Sequence, residues 1–159
     1  MRHMKKVAAV LVVSAAACIS ASAAQADTAF VSPFKCAVTN GGQATVPAGS
    51  TVTIRQRFAE TRRGVLVAWL NAQTTSLSVN GGPTLDLTGD WTAPEQRSDG
   101  SWISSVAHDT GITLGAGESL TFTFEIALSN PVPEVLGGAQ PEFNPAGSQG
   151  VWSCTVTGV

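Results

Sequence analysis

An all-β fold of antiparallel strands is what this chain of 159 residues predicts, on three observations. Apolar and polar residues alternate with a period of two through several short runs, the pattern of half-buried strands. Turn chemistry separates these runs at intervals of roughly 8 to 12 residues. No strand-then-helix rhythm of the kind that builds a parallel sheet is present.

The chain starts MRHMKKVAAVLVVSAAACISASAAQA, with Arg2, Lys5 and Lys6 ahead of an apolar run over residues 7–18 and a small-residue exit. That order reads as a secretory signal peptide, with Ala24-Gln25-Ala26 as cleavage site and Asp27 as the first mature residue. The apolar run falls short of the roughly 20 residues that a membrane span needs. A lipidated Cys18 is the rival reading, but Ala15 stands where such sites carry a larger aliphatic residue. Residues 1–26 hold three of the nine basic residues and none of the eleven acidic ones, so the mature domain, residues 27–159, balances six against eleven. So acidic a chain has no general attraction for nucleic acid, and no later run is apolar for long enough to cross a membrane. A single exported domain is expected.

Of the three cysteines, Cys18 leaves with the leader, and Cys36 and Cys154 remain. In an oxidising compartment they are expected to pair, two buried free thiols being the alternative. Their surroundings match: FKCAVT at 34–39 and WSCTVT at 152–157 each alternate, with an aromatic two residues before the cysteine. Both segments read as strands that present aromatic, cysteine and valine to the core, so the first and last strands would meet across the bridge.

Between them, TVTIRQRF places Val52, Ile54 and Phe58 on one face and Thr51, Thr53, Arg55 and Arg57 on the other. SLTFTFEIAL does the same with Leu120, Phe122, Phe124, Ile126 and Leu128. Asn40-Gly41 and Asn80-Gly81 supply the positive φ of tight turns, and SLSVN with PTLDL around the second reads as a hairpin with Pro83 at an edge. In ETRRGVLVAWLNAQ, Val65, Leu66, Trp69 and Leu70 recur at helical spacing after a Thr61 suited to cap. This predicts a short helix near residues 61–71, with a bent strand as alternative because of Gly64. Residues 129–150 carry four prolines and four glycines and read as an irregular surface loop.

About seven or eight such strands predict an immunoglobulin-like antiparallel β-sandwich. The run LGAGESLTFTFEIAL resembles the late strand of small exported bacterial β-sandwich modules, where a glycine turn leads into alternating Leu and Phe. The resemblance implies that fold and a tendency toward binding or adhesion, and brings no catalytic residues. From antibody-type domains the chain departs in its cysteines, which fall in the first and last predicted strands.

Candidate chemistry is sparse. His108, in SSVAHDTG, has Ser104, Ser105 and Asp109 near it in sequence, but Asp109 would point to the opposite face and no G-x-S-x-G is present. A small secreted hydrolase is therefore the remotest reading, and one histidine beside two paired cysteines leaves too few ligands for zinc. The acidic residues Asp86, Asp90, Glu95, Asp99 and Asp109 surround LTGDWTAPEQRSDGSW without the spacing of a calcium loop. No cofactor is expected. Trp91 and Trp102 flank the same loop, and exposed indoles beside Asp90 and Asp99 would suit a sugar, the rings stacking on a pyranose and the polar groups fixing its hydroxyls. Alternatively, one or both rings close one end of the sandwich. Arg55, Arg57, Arg62 and Arg63 fall within nine positions and form a candidate patch for an anionic envelope polymer, or else a solvated, edge-protecting face. The function expected is non-catalytic binding of a polysaccharide or cell-envelope polymer, with a structural, self-associating surface protein as the alternative.

Overall fold

The computed structural model describes residues 26–134, 142–144 and 149–159. The predicted leader through residue 25, with Cys18, and parts of the predicted loop at 129–150 lie outside the described residues. In chain order the elements are β1 (Thr28–Val31), β2 (Gln43–Val46), β3 (Ser50–Glu60), α1 (Arg63–Ala72), β4 (Gln73–Val79), β5 (Leu85–Asp86), β6 (Glu95–Gln96), β7 (Trp102–Leu114), β8 (Ser119–Leu128), β9 (Val132–Glu134), β10 (Glu142–Asn144) and β11 (Gln149–Gly158). They form a four-stranded sheet in the order β1-β3-β7-β6, a five-stranded sheet in the order β2-β11-β8-β4-β5, and a separate β9–β10 pair.

The predominance of strand agrees with the sequence, but the orientation is mixed. β1 runs parallel to β3 and β2 parallel to β11, whereas the other pairs are antiparallel. Both parallel pairs involve the first two strands, which are not joined by a tight hairpin. Each is laid along the edge of a different sheet by long-range pairing.

One cluster of buried residues draws on both sheets, with Val52, Ile54 and Val106 from one and Leu77, Phe122, Phe124 and Val156 from the other. The alternation expected in β8 is observed throughout, the five residues expected on its inner face all being buried. In β3, Val52 and Ile54 are buried and Phe58 is half-buried, while Arg57 is exposed. α1 buries Leu66, Trp69 and Ala72, one face at a spacing of three. Thr61 does not cap it. The cap position is Arg62, whose carbonyl accepts the Val65 and Leu66 amides at 3.1 and 3.2 Å. At the second predicted turn, Asn80 and Gly81 take φ of 51° and 67°, and the Gly82 amide closes the turn on the Val79 carbonyl at 2.9 Å. The hairpin it joins is short, since β4 and β5 pair only at Ser76↔Asp86 and Leu77↔Leu85.

The segment at 34–39 is a correction to the sequence reading. Lys35–Thr39 form one π-helical turn, closed by the Asn40 amide on the Lys35 carbonyl at 3.1 Å. Phe34 and Val38 are 48% and 60% exposed, and Cys36 is the buried residue of the turn. The chain must leave one sheet after Val31 and join the other at Gln43, and a helical turn absorbs the intervening residues. Cys154 sits on β11 opposite Phe122, as its alternation required, and bonds Cys36 across 118 residues with a Cα–Cα distance of 5.9 Å. Trp152 packs beside the bridge, edge-on to Phe34 and tilted against Phe124, both with centroids 6.2 Å apart.

Closing so long a loop removes denatured-state entropy equivalent to roughly 4 to 5 kcal/mol. Reduction with dithiothreitol is expected to lower the melting temperature by on the order of 10 °C or more, and an unchanged melt would refute this role for the bridge. Gly158 is buried, and a Cβ there would run into the Gly115 carbonyl. Its amide bonds Glu118 and its carbonyl accepts the Gly117 amide, both at 2.9 Å, so the backbone has no room to withdraw. Gly158→Ala should cost about 1 to 3 kcal/mol in urea unfolding.

Candidate functional site

The two loop tryptophans sit in different environments, both half-buried. Trp91 meets Trp69 edge-on at 4.9 Å, Trp69 stacks on Phe58 at 4.2 Å, and the Trp91 indole N–H donates to Thr75 Oγ1 at 3.0 Å. Trp91 thus extends the core from its rim. Trp102 opens β7 opposite Glu60, with the Arg63 guanidinium 5.6 Å from its ring centre. Between them the chain returns along β7: Ser104 Oγ donates to the Thr92 carbonyl at 2.7 Å, and Gln96 lies opposite Trp102. Asp90 is exposed. Asp99 closes its own turn, its Oδ1 accepting the Ser101 amide at 3.0 Å and hydroxyl at 2.6 Å, bonds that hold its carboxyl below the usual aspartate range.

The four arginines divide into two pairs. Arg55 and Arg57 lie on the outer face of β3, with Arg55 positioned 5.4 Å from the ring centre of the exposed Phe30. Arg62 and Arg63 are exposed at the start of α1. His108 faces Ile54 across the ladder, and Asp109 turns away to accept the Gly111 amide at 2.9 Å. Beyond the histidine the ladder carries a bulge: Thr51 faces Thr113 and Thr53 faces Asp109, so residues 110–112 stand against Val52 alone. Thr110 Oγ1 pins the bulge to the Val52 carbonyl at 2.8 Å, and Gly111 supplies φ of 65°. Among the described residues no group of three or more His, Cys, Asp and Glu side chains is placed to hold a metal.

What the fold does assemble is a groove of about 240 Å³ at the β4–β5 end of the five-stranded sheet, lined by Thr74, Thr75, Ser76, Thr84, Asp86, Thr88 and Glu125. Its geometry follows from register. Ser76 lies opposite Glu125 on one side and opposite Asp86 on the other, so carboxylate, hydroxyl and carboxylate form a row over three neighbouring strands. The wall is fixed from below, because Thr88 Oγ1 accepts the Thr75 amide at 3.0 Å and Thr75 carries the Trp91 indole. Asp86 Oδ1 accepts the Thr88 amide at 2.9 Å, and hydrogen bonds from the Thr88 side chain and amide hold its carboxyl below the ordinary 3.8. A lining of hydroxyls and carboxylates can exchange hydrogen bonds with a polyhydroxylated ligand in both directions.

Sequence reasoning named Asp86 within an acidic group but passed over Ser76, Thr84 and Glu125. The available signal was the outward half of the strand alternation, where TTSLSV and TFTFE show hydroxyls and one carboxylate.

Hydrogen bonds to the ionised Asp86 stabilise the turn Thr88–Asp90 above the ordinary aspartate value of 3.8, and this support disappears as pH falls through the lowered value. Exchange of the Thr88 amide, followed by NMR from pH 6 to pH 2.5, should accelerate at the acid end relative to the β8 amides. Uniform protection would contradict the assignment.

No protein-family model matches the chain, and no curated protein is significantly similar to it.

Proposed function

We propose that this is a secreted, non-catalytic binding module of immunoglobulin-like sandwich type whose ligand is carbohydrate, either an extracellular polysaccharide or a sugar polymer of the cell envelope. The observation that carries the reading is the row Glu125, Ser76, Asp86 with threonines on either side. A sugar hydroxyl donates one hydrogen bond and accepts others. Carboxylates accept, hydroxyls do both, and an ionised carboxylate has about four lone-pair positions, so the bonds that Asp86 accepts from Thr88 leave capacity for a ligand. Bonds to a charged acceptor are the stronger kind, which gives a shallow site useful affinity without an aromatic platform.

Charge and location agree with this. Six basic against eleven acidic residues in the mature chain, and two carboxylates in the groove, disfavour an anionic polymer. The leader pattern and the disulfide suit an oxidising, exported setting, and among the described residues no helix is long and apolar enough to cross a membrane. Two sheets around one core, with the first two strands divided between them, support the sandwich assignment.

The test is retention of the oxidised domain, residues 27–159, on insoluble neutral polysaccharides and on cell envelopes of its own source. An Asp86→Asn/Glu125→Gln variant should lose at least ten-fold in retention while still melting cooperatively as a folded domain. Equal retention of the variant would remove the groove from the reading, and failure of the native protein on every support would remove the reading itself.

A further inference from the structure

The geometry points to an extended, neutral polysaccharide chain as the ligand, running from the groove across the five-stranded sheet toward β2. The inference rests on the carbohydrate reading of the groove. Its basis is the outer face of the sheet, where Ser119/Thr157, Thr121/Thr155 and Thr123/Ser153 stand as three successive opposite pairs on β8 and β11. Thr45 of β2 continues the surface beyond Thr157, and Ser76 of β4, opposite Glu125, joins it to the groove. Between Glu125 and the β2 edge, none of these outward positions carries a charge.

The hydroxyls are arranged and partly satisfied in place. Ser119 and Thr157 share a hydrogen bond of 2.9 Å, and Thr123 and Ser153 one of 3.2 Å. A hydroxyl has one donor and two lone pairs, so each bonded pair retains one donor and several acceptor positions toward solvent. Strands lie about 4.8 Å apart and alternate residues about 6.7 Å apart, so the face is a grid of hydrogen-bonding groups. From β5 to β2 there are four strand intervals, about 19 Å across the strands, and Thr157, opposite Thr45, lies six residues along β11 from Val151, opposite Glu125, so the path is diagonal and longer than a disaccharide.

Twist and charge narrow the occupant. Each strand is rotated by roughly 20° from the next, so no flat crystal surface can touch the whole grid, whereas a single flexible chain turns with it. The carboxylates at one end and the absence of cations along the face repel or fail to hold an anionic polymer, leaving a neutral one.

Calorimetric titration of the oxidised domain, residues 27–159, with disaccharides and hexasaccharides of β-1,4-glucan, β-1,3-glucan and α-mannan series, and with a hexagalacturonate, tests this. In at least one neutral series the hexasaccharide should bind about ten-fold or more tighter than its disaccharide. A Thr121→Lys/Thr155→Lys variant, altered outside the groove, should lose that gain while keeping disaccharide affinity and a cooperative melt. Equal affinity for both lengths, or a gain that survives in the variant, overturns the extended-chain inference and leaves the groove reading standing. Preference for hexagalacturonate overturns the neutrality of the ligand, and no binding in any neutral series overturns the inference and the carbohydrate reading together.

Discussion

The covalent link between Cys36 and Cys154 holds the place where the chain changes sheets before it has made a single hairpin. β1 joins the four-stranded sheet and β2 the five-stranded one, each as a four-residue edge strand paired in parallel with a distant partner. Such short strands contribute little stability alone. Tying the helical turn between them to β11 anchors both to an inner strand, which in turn registers β8 over nine residue pairs and sets the inward Leu/Phe row against β3 and β7. The bridge is flanked as the register demands. Trp152 lies back across its own strand, which works only because Gly150 has no side chain: a Cβ there would meet the indole at 2.5 Å.

A second chain of contacts runs from the core to the surface. Phe58 of β3 stacks on Trp69 of α1, Trp69 meets Trp91, and the Trp91 indole holds the Thr75 hydroxyl beneath the groove. Each aromatic contact adds about 0.5 to 1.5 kcal/mol beyond area burial, so the helix and the loop after β5 are secured by the same series of rings. Trp91 therefore bears on the groove by positioning its wall. The two carboxylates owe their spacing to strand register, which is among the least deformable features of a sheet with one buried face.

What was legible in the sequence was local. Period-two alternation located β3 and β8, Asn80-Gly81 located a turn, helical spacing of Leu66 and Trp69 located α1, and Cys36 and Cys154 pointed to one bridge. Lys35–Thr39 escaped because Phe34, Cys36 and Val38 alternate as they would in a strand, and no local signal says that the chain must change sheets there. The parallel placement of β1 and β2 was hidden for the same reason, since orientation is decided by partners far away in sequence. The groove is a product of register: Ser76 comes between Glu125 and Asp86 only through two separate pairings, and composition carries no trace of that.

The outer face of the five-stranded sheet shows how one physical property serves fold and proposed function together. Threonine favours strands because its branched Cβ restricts χ1, and that restriction persists on the surface. Lysine or glutamate in the same positions would hold each strand equally soluble, but long side chains lose on the order of 1 kcal/mol or more of rotamer freedom when a ligand immobilises them. A grid of short hydroxyls, two of its pairs already hydrogen-bonded, has little freedom left to lose. Solubility then falls to other residues, among them the exposed Glu95 and Asp109 of the four-stranded sheet. On the reading proposed here, the division between charged periphery and uncharged grid lets weak, repeated hydrogen bonds sum along a polymer without a large entropic cost at each site.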